Sequence, residues 1–296
     1  MVATPIGNLS DFSPRAAACL EDVDEIVAED TRHTGRLLAH FGISTRTRAL
    51  HEHNERALAP VLAEQIAAGR NIAIVSDAGT PLISDPGYVL VGAVQEAGGN
   101  VVAIPGPSAI TAALSISGLP TDRFAFEGFL PARAKARVER LRTLSAETRT
   151  WVCYESPHRI AATLADVATV FGGDHVIAVA KELTKLNEQV CRGSVDEVID
   201  WLGADPNRTR GEFVLMVSGV AKASASGPEV DALLVAALEE LPPARAARML
   251  ARATGESRKR LYRRALELAQ ADDELGDDGG PEPDAADDAP DAGRPE

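Results

Sequence analysis

Six clusters of polar side chains follow short apolar runs, in positions where the strands of an α/β sheet would end. The clusters are Glu29–His33, Asp77, Ser108, Tyr154–Arg159, Lys181–Lys185 and Gly211–Glu212. One cluster alone is more often a solvated turn or a helix cap than a group that binds or moves a proton. Because α/β proteins bind ligands outside the carboxyl ends of their strands, the recurrence favours a site between two domains.

The loop Ser76–Gly87 has the most unusual composition of these segments, because it contains two glycines, two prolines and two aspartates. Glycine permits positive φ and a close approach of a ligand to the main chain, and proline removes competing N–H donors. A Gly/Pro loop taken alone is usually an ordinary turn. A second strand, expected over residues 101–104, runs into a similar loop at Pro105–Ala109, and two such junctions in succession predict that both loops line one crevice.

Several common sites are missing from the sequence. There is no Gly-x-Gly, so neither the dinucleotide fingerprint nor a phosphate-binding P-loop is present, and there is no Gly-x-Ser-x-Gly nucleophile elbow. His51 and His53 would point to opposite faces of a strand, and the three cysteines have no metal-ligand spacing. We therefore expect no metal site.

Composition indicates a soluble cytoplasmic protein with more than one domain. The chain has 296 residues, of which 45% are hydrophobic and only 4% aromatic. It contains no run of the roughly 18 apolar residues that a membrane helix requires. The net charge is −14, but residues 271–296 contain eleven acidic side chains and one arginine. The acidity is therefore mainly a property of this tail and does not argue against a nucleic-acid partner.

Alternating strand and helix signals over the first hundred residues predict βαβ units and a largely parallel sheet. Strand signals become more closely spaced beyond residue 123, which favours a mixed sheet in a second α/β domain. The predicted division is an N-terminal α/β domain at 1–105, a C-terminal α/β domain at 106–219, a linker at 220–228, a small basic helical domain at 229–270 and a disordered acidic tail at 271–296.

Seven motifs, spread in order over about residues 1–219, match a known family. They are Thr4–Leu9, Ala28–Gly35, Ser76–Gly87, Pro105–Pro107, Glu127–Pro131, Tyr154–Arg159 and Glu182–Lys185. As a set they resemble the motifs of the ribosomal RNA ribose 2′-O-methyltransferases, a branch of the tetrapyrrole methylase superfamily. The basic segment 229–270 is similar to the small C-terminal helical domain that many members carry.

This resemblance implies a two-domain tetrapyrrole-methylase-like α/β fold, with S-adenosylmethionine held in a cleft between the domains largely by main-chain atoms. The residues expected to line the cofactor are Thr4, Asp77, Ala78, Gly79, Thr80, Ile83, Ser108, Ala109, Tyr154, Glu155, Glu212 and Phe213. It also implies a homodimer. The family pattern does not require the acidic tail.

The implied activity is 2′-O-methylation of a cytidine ribose in the decoding region of 16S rRNA in the small ribosomal subunit. Such a transfer needs in-line geometry and removal of a weakly acidic proton, for which Asp30 and Lys185 are the candidate bases. The residues expected on the substrate side are Arg32, His33, Asn54, Arg133, Lys135 and Arg137. The arginine-rich helices between residues 245 and 264 would bind RNA backbone, although basic faces are more often simply solvated.

Two other functions remain open from the sequence. The chain could methylate a tetrapyrrole or another small molecule on the same fold, or it could be a non-enzymatic RNA-binding protein that keeps the cofactor cleft. The basic helical segment and the cluster Glu29–Thr34 argue against a small-molecule substrate.

Overall fold

A computed structural model describes residues 1–220 and 227–275, and the chain divides into two compact units after Val220. The helices of the first unit are α1 Pro14–Asp22, α2 Thr31–Phe41, α3 Glu55–Ala67, α4 Tyr88–Glu96, α5 Ala109–Ser117, α6 Ala134–Leu144, α7 Ile160–Phe171 and α8 Val195–Gly203. Its strands are β1 Glu25–Ala28, β2 Thr47–Ala49, β3 Ile72–Val75, β4 Phe124–Phe129, β5 Thr150–Glu155, β6 Val176–Lys181, β7 Gln189–Ser194 and β8 Phe213–Val217.

The N-terminal sheet is parallel, with strand order β2-β1-β3. Both faces of the sheet are covered by helices, because Ile26 and Ala28 pack with α1 and α2 while the intervening Val27 packs with α3 and α4. Burial on both faces explains why β3 and residues 26–28 of β1 read as continuous apolar runs rather than as alternating patterns. The expected α/β architecture with a largely parallel first sheet is confirmed.

The chain start lies along the free edge of β3. Val2 N–H donates to Ile74 O at 2.9 Å, and Ile104 N–H donates to Met1 O at 2.8 Å. The strand expected over residues 101–104 is wrong as a regular strand, since only Ile104 forms a bridge, to Val2. The segment is nevertheless extended beside the sheet, so it still delivers Pro105–Ala109 to the same end as β3.

The second sheet is mixed, as expected, with strand order β4-β5-β8-β6-β7. β4 and β5 are parallel, whereas the β5–β8, β8–β6 and β6–β7 pairs are antiparallel. Trp151 and Cys153 of β5 pack against α6, α7 and α8, and Val152 between them packs on the side of α5. The sheet is therefore a buried middle layer, which holds the carboxyl ends of β5 and β6 in fixed positions.

The second unit is described as three helices, α9 Gly227–Glu240, α10 Pro243–Thr254 and α11 Arg258–Leu275. Their shared apolar core contains Val230, Leu234, Ala237, Ala246, Ala247, Leu250, Leu261 and Ala265. The last helix, α11, continues to Leu275, four residues beyond the expected start of the tail at residue 271. Tail residues 276–296 and most of the expected linker, residues 221–226, lie outside the described residues. None of the described helices is both long and apolar enough to cross a membrane.

A buried glutamate joins the strands of the N-terminal sheet. The side chain of Glu25 on β1 is only 4% exposed and pairs with Arg48 on β2 at 2.9 Å, with Arg46 at 3.4 Å and with Arg70 at 3.7 Å. The three arginines are partly exposed. Solvent therefore screens these ion pairs more than it would in a protein core, but less than on an open surface.

We expect Glu25→Ala to lower the free energy of unfolding by about 2–3 kcal/mol, because it leaves three guanidinium groups without their shared carboxylate. Urea denaturation of the purified protein measures this. Glu21→Ala, which removes an exposed carboxylate at the end of α1, is the matched control. An equal change in both variants would contradict a structural role for Glu25.

Candidate functional site

The loop Ser76–Gly87 leaves the carboxyl end of β3 in a strained conformation. Gly79 and Gly87 have φ of 83° and 130°, and the non-glycine residues Leu82 and Ser84 have φ of 72° and 69°. Positive φ is uncommon for such side chains and persists only where surrounding contacts enforce it. The sequence had indicated special backbone geometry at the glycines, but not at Leu82 or Ser84.

Contacts from two other segments hold this loop. Thr4 and Gly79 exchange backbone hydrogen bonds of 2.9 and 3.1 Å, and Thr80 Oγ1 donates to Pro107 O at 3.0 Å. A Cβ built on Gly79 would lie 3.2 Å from Ile6 and 3.6 Å from Pro107 O. The loop is therefore enclosed between the chain start and the Pro105–Ala109 connection, as the sequence predicted for one shared crevice.

Glu55 fixes the far end of the same loop and was not identified from the sequence. Its side chain is buried, and Oε1 accepts hydrogen bonds from the amides of Val89 at 2.9 Å and Leu90 at 3.2 Å. These amides belong to the first turn of α4, whose N-cap is Gly87 and therefore has no side chain to cap the helix. A glutamate at the start of α3 gives no sequence signal of this long-range cap.

A cavity of about 290 Å³ lies at the same end of the N-terminal sheet. It is lined by Thr4, Pro5, Gly7, Leu9, His33, Thr34, Arg36, Leu37, Ser76 and Asp77. The cavity brings together three sequence-predicted site residues, Thr4, His33 and Asp77, from three separate segments. Asp77 Oδ1 also accepts a hydrogen bond from Asp30 N at 3.0 Å, which ties the ends of β1 and β3.

Adjacent carboxylates after β1 have opposite electrostatic surroundings. Two hydrogen bonds from the Arg32 guanidinium and one from its amide hold the pKa of Asp30 well below its usual range. Burial raises the pKa of Glu29, and the negative charges of Asp85 and Asp77 raise it further. A carboxylate that is so strongly stabilised as an anion is a poor proton acceptor, so the structure argues against Asp30 as the base.

Lys185 is also held in its charged form. Its Nζ donates to Glu182 at 2.9 Å and to Glu212 at 2.8 Å, and these carboxylates raise the pKa of the ammonium although partial burial opposes them. A base must be deprotonated before it accepts a proton, so this environment argues against Lys185 in that role as well. Its observed contacts are those of a clamp between two chain segments.

The clamp lies in a second strained loop. Glu182 and Thr184 have φ of 51° and 64°, and the remaining two described non-glycine residues with positive φ are Leu82 and Ser84. The Lys185 side chain packs so close to Gly7 that a Cβ there would lie 2.5 Å from Lys185 Cγ. The loop after β6 is thus pressed against the chain start, beside the cavity described above.

Tyr154 lies next to the last residue of β5. Its ring contacts Phe126 and Phe129 at centroid distances of 5.0 and 5.5 Å. Burial raises the pKa of its hydroxyl to about 12, and the nearby charge of Asp85 in the Ser76–Gly87 loop adds to the shift.

Four expected site side chains are engaged elsewhere. Glu155 is buried and accepts hydrogen bonds from Thr163 and Ser156, while Phe213 lies in the core of the second sheet. The side-chain amide of Asn54 stabilises a local turn, because it donates to Ala49 O and accepts from the His51 N–H. Arg137 is 4% exposed and pairs with Asp166 at 2.7 Å, so its guanidinium is engaged within the protein in this structure. For Glu155 and Phe213 only main-chain contacts with a cofactor remain.

The remaining residues expected to line the cofactor suit a ligand that binds mainly to main-chain atoms. Ser108 forms no side-chain cap on α5, and the preceding Pro107 O accepts the hydrogen bond from Thr80 Oγ1. Ile83, in the Ser76–Gly87 loop, is 37% exposed and offers an apolar contact. Main-chain donors together with an apolar side chain fit a methyl donor with a polar amino-acid end and a flat base.

Comparisons with known proteins agree with this architecture. A family model described as tetrapyrrole (corrin/porphyrin) methylases matches residues 1–199, and a model described as the RsmI C-terminal HTH domain matches residues 224–269. The ribosomal RNA small subunit methyltransferase I of Xylella fastidiosa (strain Temecula1) is 52% identical over 266 residues, covering 88% of this chain and 96% of that protein. The Vibrio cholerae protein of the same name is 49% identical, covering 90% and 93%.

A solved structure supports the fold alone. The uroporphyrin-III-C-methyltransferase of Thermus thermophilus superposes with a TM-score of 0.50 at 19% identity, covering 73% of this chain and 92% of that one.

We expect Glu29→Gln to increase stability at neutral pH. The folded pKa of Glu29 is raised above its ordinary value of 4.5, so the folded state favours the protonated form and loses stability as the pH rises through that window. Glutamine mimics the neutral form and avoids this loss. Urea denaturation at pH 7 and at pH 4 should give a gain that disappears at the lower pH.

The control for this pH dependence is Glu96→Gln, at an exposed position at the end of α4. A stabilisation by Glu29→Gln that persists unchanged at pH 4 would show that charge is not its cause.

Proposed function

The chain belongs to the ribosomal RNA small subunit methyltransferase I family of tetrapyrrole methylases, and on that premise we propose that it methylates the 2′-hydroxyl of a cytidine ribose in the decoding region of 16S rRNA, using S-adenosylmethionine. The observation that carries the proposal is the enclosed, strained loop Ser76–Gly87 beside the cavity at the carboxyl ends of β1 and β3. The small ribosomal subunit is the proposed partner, and we expect a homodimer.

In this proposal the chain holds the methyl donor mainly by its backbone. Ala78, Gly79, Thr80 and Ile83 form one wall, and Ser108 with Ala109 forms another, with Tyr154 at the entrance. The bound sulfonium supplies an electrophilic methyl group, so the protein's own tasks are alignment of the ribose hydroxyl and removal of its proton. The rigid support of the loop by Thr4 and Glu55 suits the alignment task.

We infer that Glu29 is better suited than Asp30 or Lys185 to accept the proton. Its raised pKa makes it a stronger base than an ordinary carboxylate, and it interacts with Asp77, which is one of the residues that line the cavity. Asp30 instead orients the Arg32 guanidinium, whose side chain is 88% exposed and can contact a phosphate.

Exposed basic residues provide the proposed RNA-binding surface. Arg133 and Lys135 stand exposed at the start of α6. On the second unit, the exposed basic side chains are Arg245, Arg248, Arg252, Arg258, Lys259, Arg260, Arg263 and Arg264, of which Arg264 pairs with Asp231 and Glu267. Contacts of this kind bind phosphates without reading sequence, and they weaken steeply with salt.

We expect the purified protein to transfer labelled methyl from S-adenosylmethionine to isolated small ribosomal subunits, with the label in the ribose of a cytidine. Naked rRNA and a porphyrinoid precursor are the comparison substrates. In the same assay, Glu29→Gln should lower turnover more than Asp30→Asn. Label in the porphyrinoid alone would favour a small-molecule methyltransferase, and bound cofactor without transfer to any substrate would favour a non-enzymatic RNA-binding protein.

Deletion of residues 221–296 should weaken binding to small subunits while leaving cofactor affinity unchanged, because it removes the basic helices but none of the cleft. The loss should be larger at 50 mM salt than at 200 mM, where the phosphate contacts are already screened. Filter binding and calorimetry measure the two affinities. Equal affinity of the full and shortened chains for subunits at low salt would remove the helices from RNA binding.

A further inference from the structure

The motif Glu127–Pro131 contains a β-bulge that has no assigned role. Phe126 of β4 lies opposite Val152 of β5, but the next paired residues are Phe129 and Tyr154, so β4 contains one additional residue. Gly128 within the bulge has φ of 62°. Bulges are uncommon in parallel pairs and frequently re-aim a side chain next to an active site.

The bulge places two phenylalanine rings against the same tyrosine. In a regular strand, residues three apart would point to opposite faces. Here both Phe126 and Phe129 contact Tyr154, at 5.0 and 5.5 Å between centroids. Phe129 is also 57% exposed, although the chain has only seven phenylalanines. An aromatic ring is thus displayed to solvent on a support of two further rings.

The position of Phe129 is fixed from both sides. The following Leu130 is buried, and the Arg159 guanidinium donates to Leu130 O at 2.7 Å and to Pro131 O at 3.2 Å. The preceding Gly128 approaches the Ser76–Gly87 loop, since a Cβ built there would lie 3.6 Å from Ser84 Oγ. The exposed ring therefore stands at the edge of the proposed cofactor cleft.

Cations lie next to the ring along the chain. Arg133 and Lys135 are exposed at the start of α6, four and six residues beyond Phe129. An exposed aromatic face with nearby cations is the combination by which proteins hold single-stranded nucleic acid, with the base stacked on the ring and the phosphates on the cations.

We propose that Phe129 stacks on an unpaired base of the RNA substrate, at the target nucleotide or next to it, and so positions the strand for transfer. This inference rests on the proposed function, because it assigns the ring to the RNA of that reaction. The tilted contact with Tyr154 supports the Phe129 ring on one side, and the neighbouring cations hold the backbone that carries the base.

Phe129→Ala should lower kcat/KM for small subunits by about 5- to 150-fold, the range expected for one stacked base, with an unchanged Kd for S-adenosylmethionine. Phe129→Trp should restore most of the loss and Phe129→Leu should not, because only an aromatic ring can stack. Phe124→Ala is the matched control, since it removes an exposed phenylalanine at the opposite end of β4.

A second readout does not need methyl transfer. Titration of Phe129→Trp with a short cytidine-containing RNA should quench the added tryptophan fluorescence, and a Phe124→Trp variant should show no such quenching. If the wild-type protein transfers no methyl group to subunits, the proposed function fails. The fluorescence quenching still tests separately whether residue 129 stacks on an RNA base.

Three outcomes would overturn the inference. The first is an equal kcat/KM in the alanine, leucine and tryptophan variants of Phe129. The second is a loss of cofactor affinity that accounts for the whole effect of Phe129→Ala. The third is a change in the oligomeric state of Phe129→Ala, measured by light scattering. The last would place Phe129 at a contact between copies of the chain instead of at RNA.

Discussion

The backbone hydrogen bonds between Thr4 and Gly79 are the contact on which the candidate site depends most. They join the first residues of the chain to the middle of the Ser76–Gly87 loop, and Glu55 secures the end of that loop through the amides of α4. A loop held at both places can keep residues such as Leu82 at positive φ. Conformational strain of this kind costs of order 1–3 kcal/mol for each residue, so it requires such support.

Strain and charge are concentrated in two loops that face the chain start. The Ser76–Gly87 loop touches Thr4 and Ile6, and the loop containing Lys185 packs on Gly7. Lys185 pairs with two carboxylates, whereas burial and then the charges of Asp85 and Asp77 raise the pKa of Glu29. Glu29 and Lys185 thus differ in proton affinity because their surroundings differ. Such differences indicate which group in an enzyme site can act as acid or base.

The second sheet contributes rigidity and the aromatic side of the cleft. Its inner strands are buried on both faces, so the ends of β5 and β6 have little freedom to move. The bulge in β4 is the one irregular feature in its strand pairing, and it coincides with a motif that the sequence had singled out. Residue 128 is a glycine because its φ is 62°, a conformation that glycine adopts more readily than other residues.

The sequence by itself determined the two α/β sheets, most element positions and the meeting of the Gly/Pro loops, because these follow from local periodicity and turn residues. It could not show that residues 101–104 form no regular strand, that Arg137 pairs with Asp166, or that Glu55 caps α4. Nor could it separate Glu29 from Asp30, since pKa depends on which charges the fold brings near. Only the tertiary structure decided these points, because each rests on partners far away along the chain.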